Sequence, residues 1–162
     1  MPAGVSAWTP LANITMANST TVQVTFGSIS SAYRDLVIVY QGTTQSQYGN
    51  RYFLNNDQSN ANYFMIDGFG SGSSVFATNV QSPVIGYDIN STTTQNNVIV
   101  QIFDYAQTDK HKTILGRANN SGSGVEMQAK RWANTAAVTS LVIRNDAVWN
   151  SGTTLSLYGV SA

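Results

Sequence analysis

Period-two alternation near the end of the chain constrains the fold most. In Ser151-Gly-Thr-Thr-Leu-Ser-Leu-Tyr-Gly-Val-Ser-Ala162, Leu155 and Leu157, followed by Val160, are interleaved with small polar residues. That is the pattern of a strand with one buried face. Ser151-Gly152 supplies the turn that launches it. A last strand of this kind is expected to tuck against early ones. The expected partners are Trp8 to Met16, then Val22, Val24 and Phe26 in alternation. The expectation is one closed β-sandwich over residues 8–162, preceded by a short arm at residues 1–7, with no second domain following.

The rest of the chain repeats the theme. Asp35 to Tyr40 is continuously apolar after its first residue, as in a strand covered on both faces. Val98 to Tyr105, rich in β-branched and aromatic residues, reads as the central strand. Arg51 to Leu54, Tyr63 to Ile66, Ser74 to Ala77, Val84 to Ile89, Thr113 to Leu115, Val125 to Trp132 and Val138 to Arg144 complete the strand set. Between them lie clusters of Gly, Ser, Thr and Asn at 68–73, 90–97 and 119–124, whose side chains and backbones close turns. Asn134-Thr135 reads as a hairpin turn. The fold class is all-β, a single jelly-roll-like antiparallel sandwich.

Composition narrows the function. Only 10% of residues are charged, balanced at 8 Lys+Arg and 8 Asp+Glu, against about 25% in ordinary soluble domains. Ser, Thr, Asn and Gln supply 61 of 162 residues, yet 42% hydrophobic content in periodic runs argues against disorder. No run of basic residues is extensive enough to face phosphates, so nucleic acid is not an expected partner. No apolar run is long enough to span a bilayer, so no membrane is expected either. The chain has no cysteine, which removes disulfides and thiolate chemistry. Its first residues show no signal-peptide pattern, so synthesis in the cytosol is expected.

Catalytic constellations are thin. His111 is the only histidine, flanked by Lys110 and Lys112, with no nucleophile elbow in the chain; it reads as part of a polar loop. Glu126 is the only glutamate, a poor supply for the paired carboxylates of sugar hydrolysis. A transition-metal site lacks ligands. Asp57 to Asn62 offers oxygens to calcium but only one carboxylate, so a turn closed by side-chain bonds is the expected reading. Four Asn-x-Ser/Thr sequons, at Asn13, Asn18, Asn90 and Asn119, are chance matches in so Asn-, Ser- and Thr-rich a chain. No catalytic residue, cofactor or metal is assigned. Trp8, Trp132, Trp149 and the tyrosines suit either a sugar-stacking platform or core and subunit interface; spacing does not separate the two, and burial is the commoner fate of Trp.

Several segments, in collinear order, resemble small virion proteins and fibre-tip domains of tailed bacteriophages. They are Trp8 to Thr15, Val24 to Val39, Arg51 to Asp57 with Asn62-Tyr63, Asp104 to Ala106 with Lys110 to Thr113, Trp132 to Val138, and the closing Gly152 to Val160. The resemblance carries no catalytic motif. It implies a place on the virion surface after synthesis in the host cytoplasm. A free-standing domain suits a capsid decoration, or cement, protein: a homotrimer bound to the major capsid protein, with the arm at Pro2 to Ala7 reaching a neighbour. The alternative is a receptor- or carbohydrate-binding module at a tail or fibre tip, with a host-surface glycan as partner. Candidate interaction residues are Trp8, Tyr33, Arg34, Lys110, His111, Lys112, Trp132 and Trp149. Arg34 is expected to form an ion pair with Asp35 at a strand start, and Lys110 to Lys112 an exposed hairpin.

Overall fold

The structure is a computed structural model that describes residues 7–18, 20–46, 49–85 and 92–161. Its strands are β1 (Trp8–Thr15), β2 (Gln23–Phe26), β3 (Asp35–Gly42), β4 (Asn50–Leu54), β5 (Tyr63–Gly70), β6 (Val75–Gln81), β7 (Val84–Ile85), β8 (Asn96–Ile102), β9 (Lys112–Asn120), β10 (Gly124–Trp132), β11 (Leu141–Asn145) and β12 (Thr154–Val160). They form an antiparallel sandwich of two sheets. The larger has eight strands in the order β1-β12-β3-β8-β9-β10-β5-β6, the smaller four in the order β2-β11-β4-β7. Among the described residues no helix is long and apolar enough to cross a membrane.

Alternation places the core. Ile38, Val100, Ile102, Ile114 and Leu157 point from the large sheet toward Phe26, Leu54, Leu141 and Ile143 of the small one, all buried in one cluster. Central position explains the continuous apolar run in β3: six of its eight residues are buried, with β12 on one side and β8 on the other. β12 is framed as its alternation predicts, antiparallel to β1 on one side and β3 on the other. β8 lies fourth in the large sheet, so the Val98 strand is central.

Four details differ from the sequence reading. β2 does not join β12; it pairs with β11 in the small sheet, and Val22 stays outside the strand and half exposed. β8 ends at Ile102, where the chain turns through Asp104 in the left-handed region (φ 47) and buries Tyr105 beneath the loops, its hydroxyl donating to the Ser30 carbonyl. Asn134-Thr135 is not a hairpin turn. Residues 133–140 carry the chain from the large sheet to the small one, pinned by Asn55, whose amide donates to the Ala137 carbonyl and accepts from the Thr139 and Ser140 N–H groups. Finally, the short Thr113 to Leu115 and Ser74 to Ala77 segments belong to full strands of nine and seven residues. The expected arm lies outside the described residues except for Ala7, whose carbonyl accepts from Ser161 N.

Candidate interaction face

The expected interaction residues separate into core and surface. Trp132 and Trp149 are fully buried. The Trp132 indole donates to Asp57 (2.7 Å) and that of Trp149 to Asn50 (2.9 Å), so both are core residues with satisfied polar tips and neither presents a surface. Tyr33 is half buried, its ring laid on Gly159 so closely that a Cβ there would lie 2.4 Å from the ring. Lys112 corrects the exposed-hairpin expectation. It opens β9 on the inward face and is wholly buried. Its ammonium donates to the carbonyls of Gln107, Lys110 and Thr135, and burial lowers its pKa. Lys110 and His111 remain at the surface.

The Arg34–Asp35 pair forms as expected, at 2.9 Å. Asp35 is the buried partner and a hub as well. It also accepts from the Gln101 side chain and the Asp104 N–H, each at 3.0 Å, while Asp104 holds Lys110 at 3.1 Å. The fold thus gathers Arg34 and Lys110 at one end of the large sheet, both neutralised by carboxylates. Trp8 is partly exposed beside Tyr158, ring centroids 5.7 Å apart. Asp57 closes its turn on the Ser59 N–H and the Asn62 side chain. Burial pushes its pKa up, but the bonds from Trp132, Asn62 and Ser59 outweigh this and hold it below the ordinary value. The described residues contain no group of three or more His, Cys, Asp or Glu placed to share a metal.

Sequence reasoning missed the larger feature. β10 has its polarity reversed. Glu126, Gln128 and Lys130 face inward and are buried, whereas Val125 and Met127 face outward at 58% and 71% exposure. The register sets Val125 and Met127 beside Gly70 and Gly68 of β5, and Ala129 between Ile66 and Leu115. With Phe64 of β5 and Val75 of β6 these make an apolar band on the outer face of β9, β10, β5 and β6. Among outward positions in these four strands the only charges are Arg117 and Arg131, and Arg131 stacks on Phe64, 4.5 Å from the ring centroid. An open groove of about 720 Å³ runs along this face past Phe64, Ile66, Asn79, Gln81 and Arg131. The signal was present in the sequence as alternation in Val125 to Trp132, but alternation alone does not say which half faces in.

Behind the band the inward residues make a closed polar cluster. The Lys130 ammonium donates to the Val84 carbonyl of β7 and sits 4.8 Å from the Tyr52 ring centroid. Gln128 donates to Glu126, and Asp67 of β5 is buried nearby. Burial drives the Lys130 pKa down to about 7 against the opposing pull of Glu126 and Asp67. Glu126 and Asp67 are only 1% and 3% exposed, so their carboxylates are closed to a large substrate in this conformation.

No family model matches this chain, and no curated protein matches it. Among solved structures, a variant of the alginate lyase Aly36B bound to an alginate tetrasaccharide is similar at 11% identity and a TM-score of 0.39, covering 93% of this chain and 80% of that one. The marine PL-14 alginate lyase from Aplysia kurodai is similar at 9% identity and a TM-score of 0.34, over 82% of this chain and 70% of that one. At this level the likeness concerns strand arrangement and says nothing of chemistry.

Proposed function

We propose that this chain is a structural protein of a bacteriophage virion surface, of the capsid-decoration kind, which adds to an assembled shell and holds it together. The resemblance along the chain supports this reading, and one structural observation carries it: the reversed polarity of β10, which turns an apolar band outward. Apolar area of this kind gains roughly 25 cal/mol per Å² when removed from water, and contiguous exposed patches mark surfaces that dock. Binding the assembled lattice in preference to loose subunits would stabilise the shell by linkage. The balanced formal charge spares neighbouring copies long-range repulsion.

Ile66→Lys with Met127→Lys tests the reading, because both side chains are exposed and the change leaves the core alone. The expected outcome is a folded protein absent from purified particles, which then rupture at lower temperature or under osmotic shock. Full occupancy of the variant on particles would refute docking through this face. The groove favours a second reading, a glycan-binding tip module: an aromatic ring, a guanidinium and two amides are the groups that take a sugar's apolar face and hydroxyls. That reading expects intact particles with adsorption to cells lost when Arg131 and Gln81 are replaced by Ala.

A further inference from the structure

The four sheet edges are not treated alike. β1 carries Pro10 and a register break between Pro10 and Ala12. β2 is four residues long, and the described part of β7 is two. Proline, bulges and brevity are the devices by which proteins keep edges from pairing with other chains. β6, the remaining edge, has none of them. It is Val75-Phe-Ala-Thr-Asn-Val-Gln81, seven residues without charge, proline or glycine, exposed along its whole length and, among the described strands, bonded only to β5. Phe76 stacks on Phe69 (centroids 5.1 Å apart), which holds the strand in the sheet.

We infer that β6 pairs with β6 of a second copy of this chain, antiparallel across a twofold axis at Thr78, joining two large sheets into one. The sequence is self-complementary in that register. On the inner face Phe76 meets the partner's Val80 and Thr78 meets the partner's Thr78, an aromatic–β-branched pair and a Thr–Thr pair, both of which stabilise antiparallel strands. On the outer face Ala77 lies opposite the partner's Asn79 and Val75 opposite the partner's Gln81, small or uncharged throughout. No like charges meet, and the row Val125–Gly70–Val75 faces the partner's Gln81 and the partner's Phe64 across the axis. The interface is isologous, so it closes as a dimer and does not propagate. A paired edge of roughly 24 Å belongs to the small end of specific interfaces, so the dimer forms at raised subunit concentration, as on a lattice.

Two measurements test this, and the absence of native cysteine makes the first clean. The register brings the two Thr78 Cα atoms to about 4.5–5.5 Å, within disulfide reach. Thr78→Cys is therefore expected to give a disulfide-linked dimer under mild oxidation, and Thr113→Cys, exposed on the interior strand β9, is not. In sedimentation equilibrium, Ala77→Lys with Asn79→Lys sets lysines opposite one another and is expected to weaken association by about tenfold or more. Ala77→Lys with Asn79→Glu sets opposite charges across the axis and restores it. A wild-type chain that stays monomeric at every concentration, with no Thr78→Cys cross-link, overturns the inference. So does a trimer, or any oligomer indifferent to the lysine pair, which would place self-association elsewhere.

Discussion

At the scale of single residues, two buried charged side chains hold loops in place. The Asp35 carboxylate accepts the Asp104 N–H and the Gln101 amide in addition to Arg34. It thereby sets the turn that follows β8 and presents Lys110. Asp35→Ala strands a main-chain donor and an amide, and is expected to cost about 2 kcal/mol, read as a lower urea midpoint at unchanged slope. Asp35→Asn, which retains one acceptor, should fall between. Lys112 plays the matching part for the carbonyls of Gln107, Lys110 and Thr135. Its sequence neighbours Lys110 and His111 gave no hint of this, because whether a lysine is solvated or caged depends on which loop closes over it.

At the scale of elements, β12 depends on a close approach. Gly159 lets the Tyr33 ring rest on the strand where β1 and β3 flank it. In Gly159→Ala the new methyl would overlap the ring, so Tyr33 must move off. The expected cost is about 1–3 kcal/mol, checked by thermal unfolding, with relief when Tyr33→Ala is added, as a double-mutant cycle would measure. β10 makes a different point. Its polar residues are buried because Lys130 finds the Val84 carbonyl and the Tyr52 ring across the sandwich. That leaves Val125 and Met127 for the outside.

At the scale of the whole molecule, the buried Lys130 ties the sheets together at a cost that varies with pH. Its folded pKa, lowered by burial to about 7, lies beneath the unfolded value of about 10.4. Between these limits the unfolded chain binds a proton that the folded chain does not, so stability rises with pH from about 7 to about 10. Below that window both states are protonated and the cost of burial is present in full. Lys112, lowered in the same direction, adds to the rise. Above pH 10 the sign reverses: Tyr40, pushed up to about 12 by burial, and Tyr52 and Tyr63, also raised by burial, keep protons that the unfolded chain loses. Urea midpoints across pH 6 to 11 should therefore peak on the alkaline side. Lys130→Met should flatten the rise and leave the alkaline fall; an unchanged rise would show that Lys130 is not its source.

The sequence alone determined the all-β class, most strand positions, the central place of Val98 to Ile102 and the pairing of β12 with β1. These follow from period-two alternation and turn chemistry, which are local properties of the chain. It also signalled the Arg34–Asp35 pair, because adjacent residues at a strand start need no tertiary information to meet. The tertiary structure decided what alternation leaves open. It assigned β2 to the other sheet, sent 133–140 across the sandwich, put Trp132, Trp149 and Lys112 inside, and turned the apolar half of β10 out. Alternation divides a strand into two faces, but only the partner sheet fixes which of them is buried. Edges are likewise invisible in sequence, since β6 is an edge only because, among the described residues, no ninth strand bonds beyond it.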